Sequence, residues 1–265
     1  MKTYDNTIKY YELVMKYDDT SKYIKYNLPV GYHFEYYKSS DLDDWIDIHI
    51  SSGEFIARDE GKQIFSDFYK FFINELDKRC VFIVENLTNR KVATVTVSLL
   101  KEKEYGYDCA IDWLAIRKEY QGKGLSKPLI SNMIKIASDL GHKSIILHTQ
   151  TTTWLAAKLY LDFGFEILNV DEKEGWSILK TLTNHSKLND YNDIPLDEIY
   201  DERNVKIQEQ LDSRFGENNY NYSVWYKNNL HNVYVYFNNK TYEYEYFIDN
   251  DKLFLKEVKN KKYKE

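Results

Sequence analysis

The chain is poor in several features that would have pointed to a function early. Only two of its 265 residues are cysteine, Cys80 and Cys109. Each sits among β-branched and aromatic neighbours, so two buried free thiols are expected rather than a disulfide. No Cys/His cluster occurs at ligand spacing, and no metal site is expected. No apolar run reaches the roughly 18 residues that a membrane-spanning helix needs. Met1-Lys2-Thr3-Tyr4-Asp5 lacks an apolar stretch behind its charges, so no secretion signal is expected. Positive charge is also short: the formal net charge is -6, against the basic face of a nucleic-acid binder. These absences point to a cytoplasmic protein with neither membrane nor nucleic acid as partner.

The chain does have the means to build a core, being 43% hydrophobic and 29% charged. Residues 1–27 are polar and tyrosine-rich and read as an N-terminal extension. Strand character begins at His33-Phe34-Glu35-Tyr36-Tyr37. Ser39 or Ser40 then caps a helix carrying Leu42, Trp45, Ile46 and His49, which Gly53 ends. Asp59 opens a second helix in which Ile64, Phe65, Phe68, Phe72 and Leu76 recur at helical spacing. Cys80–Val84 and Val92–Val97 read as strands joined by a turn at Asn89-Arg90, hence an antiparallel pair. A third strand, Ala110–Ile116, runs into a glycine-containing loop and an amphipathic helix that Gly141 stops. Ser144–Leu147 is the next strand, parallel to the third because a helix crosses between them. A helix near Thr153–Phe163 and strands at Gly164–Leu168 and Trp176–Leu179 complete a mixed α/β sheet with helices on both faces.

From about Asn184 the pattern changes. A helix is expected between Leu196 and Phe215. Alternating runs follow, separated by turn signals at Asn228-Asn229, Asn238-Asn239 and Asp249-Asn250-Asp251. The organisation expected is therefore a 1–27 extension, a 28–183 catalytic-type domain, and a 184–265 helix plus antiparallel β-meander. The aromatic alternation fits an ordinary packed sheet. Its alternative is a surface for a second chain, and so a homodimer. Lys259–Glu265 reads as a frayed tail.

The loop Gln121-Gly122-Lys123-Gly124-Leu125-Ser126 stands between a strand and a helix. A helix N-terminus offers unsatisfied amides and the positive end of a dipole to a polyanion such as a pyrophosphate. Gly122 and Gly124 allow the backbone to bend and approach closely. Ser126 adds a hydroxyl, and Lys123 and Lys127 add positive charge. A lone Gly-x-Gly is also what an ordinary tight turn contains.

Two segments favour the first reading. Tyr120–Ser126 resembles the acyl-CoA loop of the GNAT superfamily of N-acetyltransferases, Gln/Arg-x-x-Gly-x-Gly/Ala. Gln121 and Gly124 fit its first two fixed positions, and Ser126 departs from the third by one hydroxyl. Ala156-Ala157-Lys158-Leu159-Tyr160-Leu161-Asp162-Phe163-Gly164-Phe165 is similar to the family's second signature, Ala-x-x-Leu-Tyr-x-x-x-Gly-Phe. The resemblance covers about residues 28 to 182 and leaves the C-terminal meander outside. Leu28–Tyr32, Trp45, Ser52–Phe55 and His148–Thr151 resemble a bacterial subgroup of the family.

The resemblance implies a GNAT-like acyl-CoA N-acyltransferase fold carrying a small antiparallel β appendage. It also implies acetyl-CoA as co-substrate, without a metal, and direct attack by a primary amine of a small molecule or peptide. The strand before the loop should splay from its neighbour. The backbone of Leu114, Ala115 and Ile116 would then face the pantetheine arm, one amide stabilising the developing oxyanion. Thr153, where the family often has asparagine, and Ala156 would lie along the same arm. Tyr160 matches the usual general acid: a phenol of pKa about 10 can protonate a thiolate whose thiol titrates near 8.5. Among 25 tyrosines, plain packing is its other reading. For the base, Asp112 lies in phase with Leu114 and Ile116, and His148 ends the neighbouring strand, where open sheets place ligands. Glu54 and Glu35 are weaker candidates, and Cys109 has no part in such a mechanism. A non-catalytic acyl-CoA sensor on the same fold is the alternative in another class.

Overall fold

The computed structural model describes residues 4–227, 230–238 and 240–259. Contacts along the backbone divide these into two compact units. One comprises Glu12–Thr149 and Leu159–Asp171; the other comprises the described residues of Met1–Tyr11, Gln150–Lys158 and Glu172–Glu265.

The first unit is organised by a mixed sheet. In chain order its elements are β1 (Glu12–Tyr17), β2 (Tyr32–Tyr36), α1 (Leu42–Ser52), α2 (Arg58–Tyr69) and the single turn α3 (Leu76–Arg79). Then come β3 (Cys80–Glu85), β4 (Arg90–Glu104), β5 (Tyr107–Ile116), α4 (Ser126–Asp139) and β6 (Ile145–Gln150). Helix α5 (Trp154–Asp162), whose last four residues belong to this unit, leads to the short β7 (Glu166–Ile167). The strand order is β2-β3-β4-β5-β6-β1-β7. Pairs β2–β3, β3–β4, β4–β5 and β1–β7 are antiparallel, and β5–β6 is parallel as the crossover through α4 requires.

Strand β4 shows why the sheet sits at the centre of the unit. Residues Val92 to Ser98 are buried without a break, so both faces of the strand are covered. Helices α1 and α4 both pack on β4 and β5. Helix α4 buries Leu129, Ile130, Met133, Ile134, Ile136 and Ala137. At roughly 1.5–3 kcal/mol for each fully buried large apolar side chain, this stripe dominates the energy that docks the helix. The segment expected as an extension contributes β1, where Leu13, Val14 and Met15 are all buried, next to β6 and β7. Helix α2 ends at Tyr69, earlier than the apolar spacing predicts; Phe72 and Leu76 pack from the turn beyond it.

The second unit contains α6 (Lys173–Thr183), α7 (Glu202–Phe215) and the strands β8 (Asn221–Lys227), β9 (Leu230–Phe237), β10 (Lys240–Phe247) and β11 (Lys252–Lys259). Helix α6 corrects the strand expected at Trp176–Leu179. Gly175 to Lys180 are all buried, and a short apolar run buried on every side looks alike whether helical or extended. Glu174 in the first turn and Asn184 in the left-handed conformation at the end settle it as helix. The expected 196–215 helix is a 3-10 turn at Leu196–Ile199 followed by α7, whose N-cap Asp201 accepts from the amides of Arg203 and Asn204. The four strands form an antiparallel meander in the order β11-β10-β9-β8, as expected. Ile207 and Leu211 of α7 share a core with Tyr222, Val233, Val235, Tyr244, Tyr246 and Leu253. The turn expected at Asn228-Asn229, residue Asn239 and the tail from residue 260 lie outside the described residues.

Candidate active site

The site starts from an irregularity in β5. On β4, Thr94 pairs with Ala115 and Thr96 with Asp112, so Val95 faces two residues, Trp113 and Leu114. Trp113 adopts φ +54°, a left-handed conformation that costs a bulky residue about 1–2 kcal/mol. This is a β-bulge: it bends the strand and re-aims the side chains on either side of it. The ladder between β5 and β6 pairs Ala110 with Ile146 and Ile111 with Leu147, and ends there. Past that point the two parallel strands part, as the resemblance implied, with Asp112 at the mouth of the cleft on one strand and His148 on the other.

Strand β5 leads into the glycine loop. Gly122 and Gly124 take φ +75° and +77°, which L side chains rarely adopt, and a Cβ on Gly122 would meet nothing within 4 Å. The amides of Gly122, Lys123, Gly124 and Leu125 find no acceptor among the described residues. Helix α4 begins at Ser126 with no side-chain cap and no acidic residue in its first turn. An open run of amides at the positive end of a helix is the arrangement that accepts phosphate oxygens. Gln121 plays a part that the sequence did not show: its Nε2 donates to the Ile116 carbonyl at 3.0 Å, closing the loop on the end of β5. That carbonyl, one of the groups expected to face the pantetheine arm, is thereby engaged. Lys123 Nζ lies 4.2 Å from the Tyr120 ring centroid and Lys127 Nζ 5.5 Å from that of Tyr26.

The titratable groups expected here differ in burial and in partners. Tyr160 is buried on α5, with its ring edge-on to Phe165 at 5.7 Å. Its phenol has no hydrogen-bond partner among the described residues. Burial, with the Glu54 and Asp112 carboxylates, holds its pKa well above the ordinary phenol value. Asp112 is half-buried, and burial pushes its carboxyl up to about 6, the Ser98 hydroxyl and His148 opposing the rise and Glu104 adding to it. His148 is held from both sides, Nδ1 to Glu12 at 3.1 Å and Nε2 to Glu104 at 3.3 Å. Neither carboxylate has a local sequence signal, since they come from β1 and the end of β4. Glu54 is hydrogen-bonded to His49 Nδ1 at 2.7 Å. Glu35 is tied to His33 and Lys38 on β2, His33 first among the causes that lower its pKa. Burial raises the Cys109 thiol to about 12 and that of Cys80 to about 11, which leaves both unreactive. Thr153, at the end of a 3-10 turn where its hydroxyl donates to the Gln150 carbonyl, and Ala156 in α5 belong to the second unit. Among the described residues no group of three His, Cys, Asp or Glu could hold a metal ion, and no helix is long and apolar enough to cross a membrane.

The profile of the Acetyltransferase (GNAT) family matches residues 28–165. The chain belongs to this family. It is 30% identical over 91 residues to N-acetyltransferase 8B of Rattus norvegicus, a match of 34% of this chain and 41% of that one. A GCN5-related N-acetyltransferase from Sphaerobacter thermophilus shares the fold at a TM-score of 0.50 and 14% identity, over 62% of this chain and 50% of the other. A GNAT-family acetyltransferase from Colwellia psychrerythraea aligns at a TM-score of 0.46 and 14% identity, over 62% and 55%. The chain thus matches half or less of the length of the first two. As a GNAT protein it has the mixed sheet of the family, here of seven strands, with a separate four-stranded antiparallel sheet at its C-terminal end.

Proposed function

We propose that this GNAT protein transfers an acetyl group from acetyl-CoA to a primary amine of a small molecule or peptide. The observation that carries the reading is the open run of amides from Gly122 to Leu125, which follows the strand that carries Asp112, whose carboxylate acts on the Tyr160 phenol. In this reading the loop and the start of α4 hold the pyrophosphate, and Gly124, Leu125, Ser126 and Lys127 line it. The bulged stretch Leu114–Ile116 directs the pantetheine arm, with a backbone amide placed to stabilise charge developing on the thioester oxygen.

The proton steps belong to the chain's own side chains. Asp112, with a pKa of about 6, is largely ionised at neutral pH and is a stronger base than an ordinary carboxylate, able to relay a proton from an incoming ammonium towards solvent. The neutral amine then attacks the thioester carbonyl; the C–N bond forms, the C–S bond breaks, and the departing sulfur takes a proton from the Tyr160 hydroxyl. The second nitrogen proton restores the phenol, and Asp112 releases its own to solvent. The order helps Tyr160. Once Asp112 is protonated, one of the two negative charges that hold the phenol's pKa up is gone. His148, clamped by Glu12 and Glu104, lies close enough to favour the charged form of Asp112 and serves as its electrostatic partner.

Screening primary amines for acetyl-CoA-dependent thiol release tests the reading. Turnover of at least one amine is expected. Tight coenzyme A binding with no release across a broad panel would favour a sensor instead.

A further inference from the structure

Helix α1 carries His49 in its last turn and stops at Gly53, whose φ of +95° lets the chain reverse. The reversal returns Glu54 beneath the helix end, where its amide donates to the His49 carbonyl at 2.9 Å. The same two residues meet again through their side chains, His49 Nδ1 to Glu54 Oε2 at 2.7 Å. His49 is fully buried, and its ring is enclosed by Trp45, Phe55 and Trp113 at centroid distances of 4.3, 5.0 and 5.5 Å. Its Nε2 is buried with no hydrogen-bond partner among the described residues, as is the Trp113 Nε1 beside it. With no acceptor at Nε2, the ring takes the tautomer that donates Nδ1–H to Glu54. Trp45 Nε1 is a third such atom in the same shell, and unpartnered buried polar atoms are costly enough to call for an explanation.

Glu54 keeps 30% of its side chain exposed, so one carboxylate oxygen is anchored from below while the group stays open to a ligand. Trp113 and Phe68, edge to face at 5.6 Å, are half-buried and present aromatic surface in the same shell. Trp113 is the bulged residue next to Asp112, and the Glu54 and Asp112 carboxylates both act on the Tyr160 phenol. A negative carboxylate, an aromatic wall and the proton-transfer groups thus share one corner of the unit.

We infer that Glu54, oriented by His49, is the anchor for the acceptor's nitrogen, and that the acceptor is a primary amine on a short aromatic or alkyl body. The inference rests on the acetyl-transfer reading and names the substrate class of that site. Glu54 binds the ammonium on arrival. After one proton has passed to Asp112, the amine still donates an N–H to Glu54, which aims its lone pair. No bond to carbon forms at Glu54. His49 acts through Glu54 and is a positioning residue, and the rings of Trp113 and Phe68 receive the apolar body. A cation at Glu54 also offsets the second negative charge near Tyr160, so acceptor binding prepares the proton donor.

The test uses phenethylamine and its neutral counterpart 2-phenylethanol, titrated into the full chain with and without coenzyme A and read by tryptophan fluorescence. The wild type should bind the amine roughly 10- to 100-fold more tightly than the alcohol, the range of a hydrogen bond to a charged group. Glu54→Gln should erase that preference and leave the alcohol's Kd unchanged, and Glu54→Asp should restore part of it. His49→Phe should lower amine affinity alone, whereas damage to folding would weaken both ligands. Equal affinities in the wild type, or an undiminished preference in Glu54→Gln, would overturn the inference. The titration needs no turnover, so an intact amine preference without thiol release would count only against acetyl transfer. Conversely, thiol release with a KM unmoved by Glu54→Gln would count only against the anchor.

Discussion

Two side chains show how burial sets chemistry one residue at a time. Asp112 is an acid whose fold prefers its protonated form, because burial raises its pKa from the model-peptide range to about 6. The folded chain therefore holds that proton over a window, about pH 4 to 6, in which the unfolded chain has released it. Across the window stability falls as pH rises, and above pH 6 the full cost remains. At about 1.4 kcal/mol per pKa unit, the cost is on the order of 3 kcal/mol at neutral pH. Asp112→Asn should accordingly raise the melting temperature at pH 7 while removing the acid limb of kcat/KM near pH 6. A lower melting temperature would mean that the ionised carboxylate is a net stabiliser. Tyr160→Phe keeps the buried ring and removes only the hydroxyl. We expect kcat to fall roughly 100-fold, the lower end of general acid catalysis, with acetyl-CoA affinity within about threefold by calorimetry. An unchanged rate would assign the sulfur's proton to water.

Among the elements, the loop and the bulge differ in how much of them could be read in advance. The loop is local: two glycines between a strand and a helix are visible in sequence, and the structure adds open amides and the Gln121 closure. Gly124→Glu should abolish acetyl-CoA binding, since it places a carboxylate in the proposed pyrophosphate site. Gly124→Ala supplies the control. Its Cβ would stand 3.8 Å from Pro29 Cγ, an ordinary contact, so only the φ of +77° opposes it. The alanine variant should lose about 1–2 kcal/mol of stability and keep measurable affinity; if calorimetry finds the glutamate variant binding as well as the alanine one, the loop is not the pyrophosphate site. The bulge at Trp113 carries no such signal. Nothing in Asp112-Trp113-Leu114 announces a positive φ, which follows from how β4 and β5 close on each other. Helix α6 resembles a strand in sequence for a related reason: burial on all sides erases the periodicity that separates helix from strand.

For the whole molecule, the tyrosines set one limit of stability. Both units bury them, Tyr37, Tyr69 and Tyr160 in one and Tyr220, Tyr222 and Tyr246 in the other, where Tyr11 is half-buried; every one is held above the ordinary phenol pKa with burial as the first cause. Tyr37, Tyr11 and Tyr246 are raised to about 12. Their contribution is complete below pH 10, where the unfolded chain also keeps its phenols protonated, and declines as pH rises through the folded values. Thermal scans from pH 9 to 12 should show a melting temperature that holds steady and then falls beyond about pH 10. A flat profile would place the phenols in water.

The sequence by itself determined the family, the crossover of strand, loop and helix, the glycine loop proposed for the pyrophosphate and the candidate proton donor. Each rests on residues adjacent in the chain or on a spacing that one element enforces, as Gln121 to Ser126 and Ala156 to Phe165 do. Only the tertiary structure decided which carboxylates share the cleft, how β5 leaves β6, and that His49 holds Glu54 beneath an aromatic shell. Those arrangements depend on groups far apart in sequence, such as Glu12 with His148 or Glu54 with Tyr160. Charge and burial at such sites follow from folding, and no local pattern encodes them.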